Sequence, residues 1–156
     1  MIVDKNTILL ANENKTINLG YQLAKNMKNN FILFLYGNIG VGKTTLVRGF
    51  LQGLGYENNI KSPSYSIIES YLVSDYSVYH IDLYRLNNAR EFEILGMRDF
   101  LSFNSICLFE WPQNGGHYLP TPDLVIKLSY HLYGRKAKLI SHTMYGNIVL
   151  QKIFVY

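Results

Sequence analysis

Cysteine is nearly missing from this chain: Cys107 is the only one among 156 residues. A lone thiol supports no disulfide framework, and Cys107 sits in an apolar run, so it is expected as a small core residue in a reducing cytoplasm. Long hydrophobic runs are missing too. The longest is about six residues, far below the roughly 20 that cross a bilayer. Asp4, Asn6, Asn12 and Glu13 interrupt the N-terminus, so neither a signal-peptide core nor a membrane association is expected. Charged residues make up only 17% of the chain against 48% hydrophobic ones, which argues for a globular protein rather than a disordered one. Repeats and linkers are absent, and the length predicts a single domain over residues 1–156. Acid is scarce in one place. Residues 1–120 balance ten basic against ten acidic side chains, whereas residues 121–156 carry Lys127, Arg135, Lys136, Lys138 and Lys152 against Asp123 alone. The net charge of +4 therefore lies in the tail. A solvated strand face and a docking patch for RNA or an acidic partner both account for it.

What is present begins with Gly37-Asn38-Ile39-Gly40-Val41-Gly42-Lys43-Thr44, which fits G-x-x-x-x-G-K-[ST], the phosphate-binding P-loop. Its flanks suit the motif. Phe31 to Tyr36 is apolar throughout, as a buried parallel strand requires, and Thr45 to Leu54 places apolar residues at helical spacing. Strand, glycine turn and helix start together gather backbone N–H groups around one anion. Lys43 would meet the β- and γ-phosphates, and the Thr44 hydroxyl would ligate Mg²⁺. In the empty protein Lys43 is expected as a largely solvated cation.

Elsewhere the pattern is mixed. Asn12 or Asn14 can cap a helix running to about Met27. Strands are expected at Tyr65 to Tyr71, Ser77 to Ile81 and Ser105 to Phe109, with a short helix capped by Asn87 or Asn88. Leu124 to Tyr130 and Lys136 to Ile140 read as a hairpin turning at Gly134-Arg135, remote from the core, and Ile148 to Val155 as a last strand. The fold class is α/β, a P-loop NTPase-like mixed sheet with a parallel centre, antiparallel edges and helices on both faces.

A P-loop needs a carboxylate at a neighbouring strand end to hold Mg²⁺ or its water. Asp82 follows Val78 to Ile81 and Glu110 follows Ile106 to Phe109. Strand C-termini face the ligand crevice in such sheets, so both carboxylates qualify. Arg48, Arg85 and Arg135 are candidate phosphate contacts. His80 and His117 are expected to pack or face water.

Several short stretches resemble the TsaE (YjeE) family, P-loop ATPases of bacterial tRNA threonylcarbamoyladenosine synthesis. They are Tyr36 to Thr45, Lys61-Ser62-Pro63-Ser64-Tyr65, His80-Ile81-Asp82-Leu83-Tyr84-Arg85-Leu86, Glu93 to Gly96, and Glu110-Trp111-Pro112. The resemblance implies ATP and Mg²⁺ as cofactors. It makes Thr44 and Glu110 the Mg²⁺ ligands, with Asp82 completing the acidic site beside Lys43. Gly37, Gly40, Val41, Gly42 and Thr45 would line the phosphates, and Glu13 to Thr16 would lie near the adenine. Gln113 and Arg135 would approach the nucleotide, while Ser62 and Ser64 would sit on a switch-like loop. Ser64 stands where the family usually has Thr. The implied activity is a weak, partner-dependent ATPase in the cytoplasm. It would reset a TsaD–TsaB assembly between turnovers and touch tRNA only indirectly, through the basic tail if at all, and not DNA.

Two other functions use the same motif. A small-molecule kinase normally adds an arginine-rich lid, for which only Arg85, Arg90 and Arg98 are on offer after Asp82. A docking module would bind ATP without hydrolysing it. A GTPase is disfavoured because no Asn-Lys-x-Asp guanine motif occurs.

Overall fold

Phe31–Tyr36, the apolar run before the glycine loop, forms strand β3 near the middle of an eight-stranded sheet. The computed structural model describes residues 2–28, 30–63, 66–101 and 104–155. Around β3 the chain adds β1 (Ile2–Asp4), β2 (Thr7–Leu10), α1 (Glu13–Asn26), α2 (Lys43–Gly53), β4 (Ile68–Val73), β5 (Tyr76–Asp82), α3 (Arg90–Ile94), β6 (Ser105–Glu110), β7 (Leu124–His131), β8 (Gly134–Ser141) and α4 (Met144–Ile153). The sheet order is β1-β2-β8-β7-β3-β6-β5-β4. β7, β3, β6 and β5 run parallel, and the strands outside them pair antiparallel. All six residues of β6 are buried, as a strand covered on both faces must be.

One face of the sheet, through Phe31, Leu33, Leu35, Ile106, Leu108 and Ile126, packs under α1, α2 and α4. The opposite face, through Phe34, Cys107 and Phe109, is covered by Leu83, Leu86, Phe92 and Met97 from the stretch around α3. Burial there pushes the Cys107 thiol up to about 12, the mark of an inert core cysteine.

Asn12 caps α1 by accepting the Lys15 N–H. α1 and α2 cross with backbones in contact, and glycine makes that possible. A Cβ on Gly49 would lie 2.0 Å from the Ile17 carbonyl oxygen, and one on Gly20 would lie 2.1 Å from that of Leu46. No rotamer change relieves a clash with backbone. Gly49→Ala should therefore cost about 3 kcal/mol, the upper end for overpacking. The check is its denaturant midpoint, and a midpoint equal to that of the unmodified chain would show the crossing to be loose.

Four expectations are corrected. Residues 144–153 form α4, not a strand: Thr143 Oγ1 accepts the Gly146 N–H as an N-cap, and Val149 and Leu150 fall on one buried helical face. The apolar run Ile148-Val149-Leu150 fits either period, and the cap decides. The β7–β8 hairpin turns at Leu132-Tyr133, with His131 paired to Gly134 and Leu132 at φ 50°. Gly134 instead serves inside β8, where a Cβ would meet the Leu10 carbonyl 2.4 Å away. The hairpin is not remote, since β7 pairs with β3 and β8 with β2. Finally, β4 starts at Ile68, with Ser64 and Tyr65 outside the described residues. The N-terminal pair β1–β2 adds two strands that sequence patterning did not suggest.

Candidate functional site

β3 delivers the chain into Gly37–Gly42, and α2 carries it away. Gly42 caps α2 at φ 114° and Gly40 sits at φ 78°, a left-handed backbone that side chains with a Cβ avoid. The loop is braced from the tail. Arg135 Nε donates to the Val41 carbonyl at 2.8 Å, and the Tyr130 hydroxyl donates to that of Ile39 at 3.4 Å. The Arg135 guanidinium also lies 4.4 Å from the Tyr130 ring centroid.

Two cavities flank the loop. The first, about 440 Å³, is lined by Leu10, Asn12, Glu13, Thr16, Gly40, Val41, Gly42, Thr45, Tyr133, Gly134 and Arg135. The second, about 260 Å³, is lined by Ile39, Gly40, Lys43, Thr44, Ser62, Asp82, Tyr84, Arg85, Glu110 and Trp111. Residues far apart in sequence are thus gathered on either side of one glycine turn.

The acid pair owes its position to strand register. In the parallel β5–β6 ladder Asp82 stands beside Glu110, and His80 stands beside Leu108. The period of two puts His80, Asp82 and Glu110 on the α1–α2 face of the sheet, where the first turn of α2 meets them. Thr44 Oγ1 donates to Glu110 Oε2 at 3.2 Å, and His80 Nε2 lies 2.5 Å from the same oxygen. Asp82 Oδ1 accepts the Tyr84 N–H at 3.0 Å.

Lys43 is not the solvated cation expected of an empty loop. It is 5% exposed, donates to the Gly37 and Asn38 carbonyls at 2.5 and 3.0 Å, and its Nζ lies 4.8 Å from the Trp111 ring. Trp111 is held at φ 54° and packs on Tyr84 with ring centroids 4.9 Å apart. Burial pulls the Lys43 pKa down, while the carboxylates of Glu110 and Asp82 push it up. Burial also raises the Asp82 pKa. The Tyr84 N–H lowers it and the Glu110 charge raises it further.

That shift predicts a pH dependence. An acid whose folded pKa lies above its unfolded value, near 3.9, weakens the fold progressively as pH rises through the folded pKa. Asn cannot ionise, and its Oδ1 keeps the Tyr84 bond. Metal-free Asp82→Asn should therefore melt above the unmodified chain near pH 7. The gap should close as pH falls through the folded pKa of Asp82. A gap that holds or widens in acid would contradict it.

The oxygen donors Thr44, Asp82 and Glu110 suit a hard divalent cation. Among the described residues no three His, Cys, Asp or Glu side chains form a complete cage. Two carboxylates and a hydroxyl fit Mg²⁺, which keeps waters and is held partly by phosphate.

The remaining sequence candidates divide. Ser62 lines the second cavity; Ser64 is outside the described residues. Gln113 is exposed on the 3₁₀ turn Pro112–Asn114 and lines neither cavity. Arg48 pairs with Glu13 at 3.2 Å on the rim of the first cavity. His80, expected to pack or face water, is packed and fully buried; its partnership with Glu110 was not foreseen. The alternation His80-Ile81-Asp82 held the signal, because it puts the imidazole on the same face as the acid.

Known proteins resemble this chain in both sequence and fold. The family model described as threonylcarbamoyl adenosine biosynthesis protein TsaE matches residues 10–137. The tRNA threonylcarbamoyladenosine biosynthesis protein TsaE of Haemophilus influenzae is 41% identical over 119 residues, covering 76% of this chain and 75% of that one. The Bacillus subtilis protein of the same name is 34% identical over 116 residues, covering 74% and 71%. In structure, Bacillus subtilis YdiB superposes with a TM-score of 0.80 at 25% identity, covering 94% of this chain and 92% of YdiB.

Proposed function

Because the chain belongs to the TsaE family of tRNA threonylcarbamoyladenosine biosynthesis, we propose that it is a Mg²⁺-dependent ATP-binding protein and slow ATPase serving that modification. The observation that carries the reading is the convergence of Lys43 and Thr44, at the head of α2, with Asp82 and Glu110 at adjacent strand ends. The cavity lined by Asn12, Glu13, Thr16 and Arg135 would take base and ribose. The phosphates follow the glycine turn into the second cavity. Thr44, Glu110 and Asp82 line that cavity and would hold Mg²⁺, which would supply positive charge against the phosphates. Lys43, which donates to the Gly37 and Asn38 carbonyls, would turn to phosphate oxygens when nucleotide binds. Trp111 and Tyr84 shield the exchange from water.

The family's place in tRNA modification suggests that hydrolysis acts on a partner. We assign that partner to the TsaD–TsaB assembly in the cytoplasm, with tRNA reached through it. Lys127 and Lys138 are cross-strand neighbours, and Lys136 lies two residues along β8 from Lys138. The three lysines therefore share one sheet face as a basic docking surface.

Depleting the protein should remove threonylcarbamoyladenosine from tRNA, as read by mass spectrometry of its nucleosides. Re-supplying the intact chain should restore it, and re-supplying Lys43→Ala should not. Unchanged modification after depletion would overturn the function. Restoration by Lys43→Ala would overturn the role of ATP in it.

A further inference from the structure

We infer that His80 is a positioning residue: its Nε2–H fixes the Glu110 carboxylate in the orientation that meets Thr44 and the phosphate loop. The inference rests on the proposed Mg–ATP reading, in which Glu110 is a metal ligand. It adds a residue outside the loop and the acid pair.

Three observations carry it. His80 is fully buried and its Nε2 is 2.5 Å from Glu110 Oε2. Its other nitrogen, Nδ1, is buried and has no hydrogen-bond partner among the described residues. An orphaned buried N–H is rarer and costlier than an unused acceptor lone pair, so the ring proton belongs on Nε2, pointing at the carboxylate. Lastly, Oε2 takes both the His80 and the Thr44 bonds. Two donors on one oxygen fix the carboxylate plane. When Thr44 turns to a cation, the imidazole is the donor that stays.

A residue that merely filled space would be replaceable by any side chain of its size. A positioning donor is replaceable only by another donor at the same point. Gln carries an amide N–H near the position of the imidazole Nε2, and Leu does not. The test is Mn²⁺ affinity, by the electron paramagnetic resonance of free Mn²⁺, at saturating non-hydrolysable ATP analogue. Analogue affinity in EDTA is measured alongside. His80→Leu should lower Mn²⁺ affinity about 10–100-fold, the range for outer-shell partners of a metal ligand. Its metal-free nucleotide affinity should be unchanged, and His80→Gln should recover most of the loss.

Folded His80→Leu with unaltered Mn²⁺ affinity would overturn the inference alone. So would His80→Gln as weak as His80→Leu. Loss of analogue binding in EDTA by both variants would show a structural role and also overturn it. An unmodified chain that binds no Mn²⁺ with the analogue would overturn the Mg–ATP reading together with the inference. If His80→Leu does not fold, ¹⁵N shifts of the His80 ring in the unmodified chain decide. A proton on Nε2 supports the inference, and one on Nδ1 overturns it.

Discussion

Replacing Lys43 by Ala is expected to lower ATP turnover about a hundredfold to a thousandfold, or roughly 2.7–4 kcal/mol in the transition state. The ammonium is the one side-chain cation of the glycine loop, and charge on the transferred phosphoryl group is met by fixed cations rather than by covalent chemistry. The fold itself should change little. The substitution removes two hydrogen bonds to loop carbonyls and a contact with Trp111, together worth about 1–3 kcal/mol. It also releases the desolvation that pulls the Lys43 pKa down, so the two effects oppose each other. Single-turnover hydrolysis and a thermal melt separate the effects. Near-normal hydrolysis by a folded variant would remove the P-loop assignment.

The second large effect belongs to Glu110→Gln. The amide keeps the size of the side chain and can still accept from Thr44 or His80, but it has no charge with which to hold a hard cation. Nucleotide binding without Mg²⁺ should survive. Mg²⁺-dependent hydrolysis should fall by at least the 10–100-fold that outer-shell substitutions alone produce. Titrating Mg²⁺ against turnover distinguishes lost metal affinity from a misfolded site, because excess Mg²⁺ rescues only the former. Asp82→Asn is the companion. Normal turnover in Glu110→Gln with none in Asp82→Asn would transfer the metal role to Asp82.

Much of this site was legible in the sequence because its parts are local. A strand, a glycine turn and a helix start lie within Phe31 to Leu54, and each is written in patterns a few residues long. The acids were legible for a related reason: each closes a short strand-like stretch, Ser77 to Ile81 and Ser105 to Phe109. The parallel centre followed from the same stretches. What escaped was non-local or ambiguous. The partnership of His80 with Glu110 depends on the β5–β6 register, which no single stretch encodes. The burial of Lys43 depends on Trp111, whose left-handed backbone leads into the Pro112–Asn114 turn. Residues 144–153 carry an apolar run compatible with either period, and only the Thr143 cap and the packing against α1 and the sheet make it helical.

The braces on the glycine loop also determine when the site comes into being. β3, the loop and α2 are synthesised early, yet the Ile39 and Val41 carbonyls are held by Tyr130 and Arg135, 91 and 94 residues further along. Contacts across such separations form late, because the intervening chain must first be ordered. A nascent chain that has just completed α2 therefore carries the motif without its supports. On the proposed ATP reading, its grip on nucleotide would mature only after the second half of the sheet has paired, and nucleotide affinity would then measure the completeness of the whole domain rather than the presence of the motif.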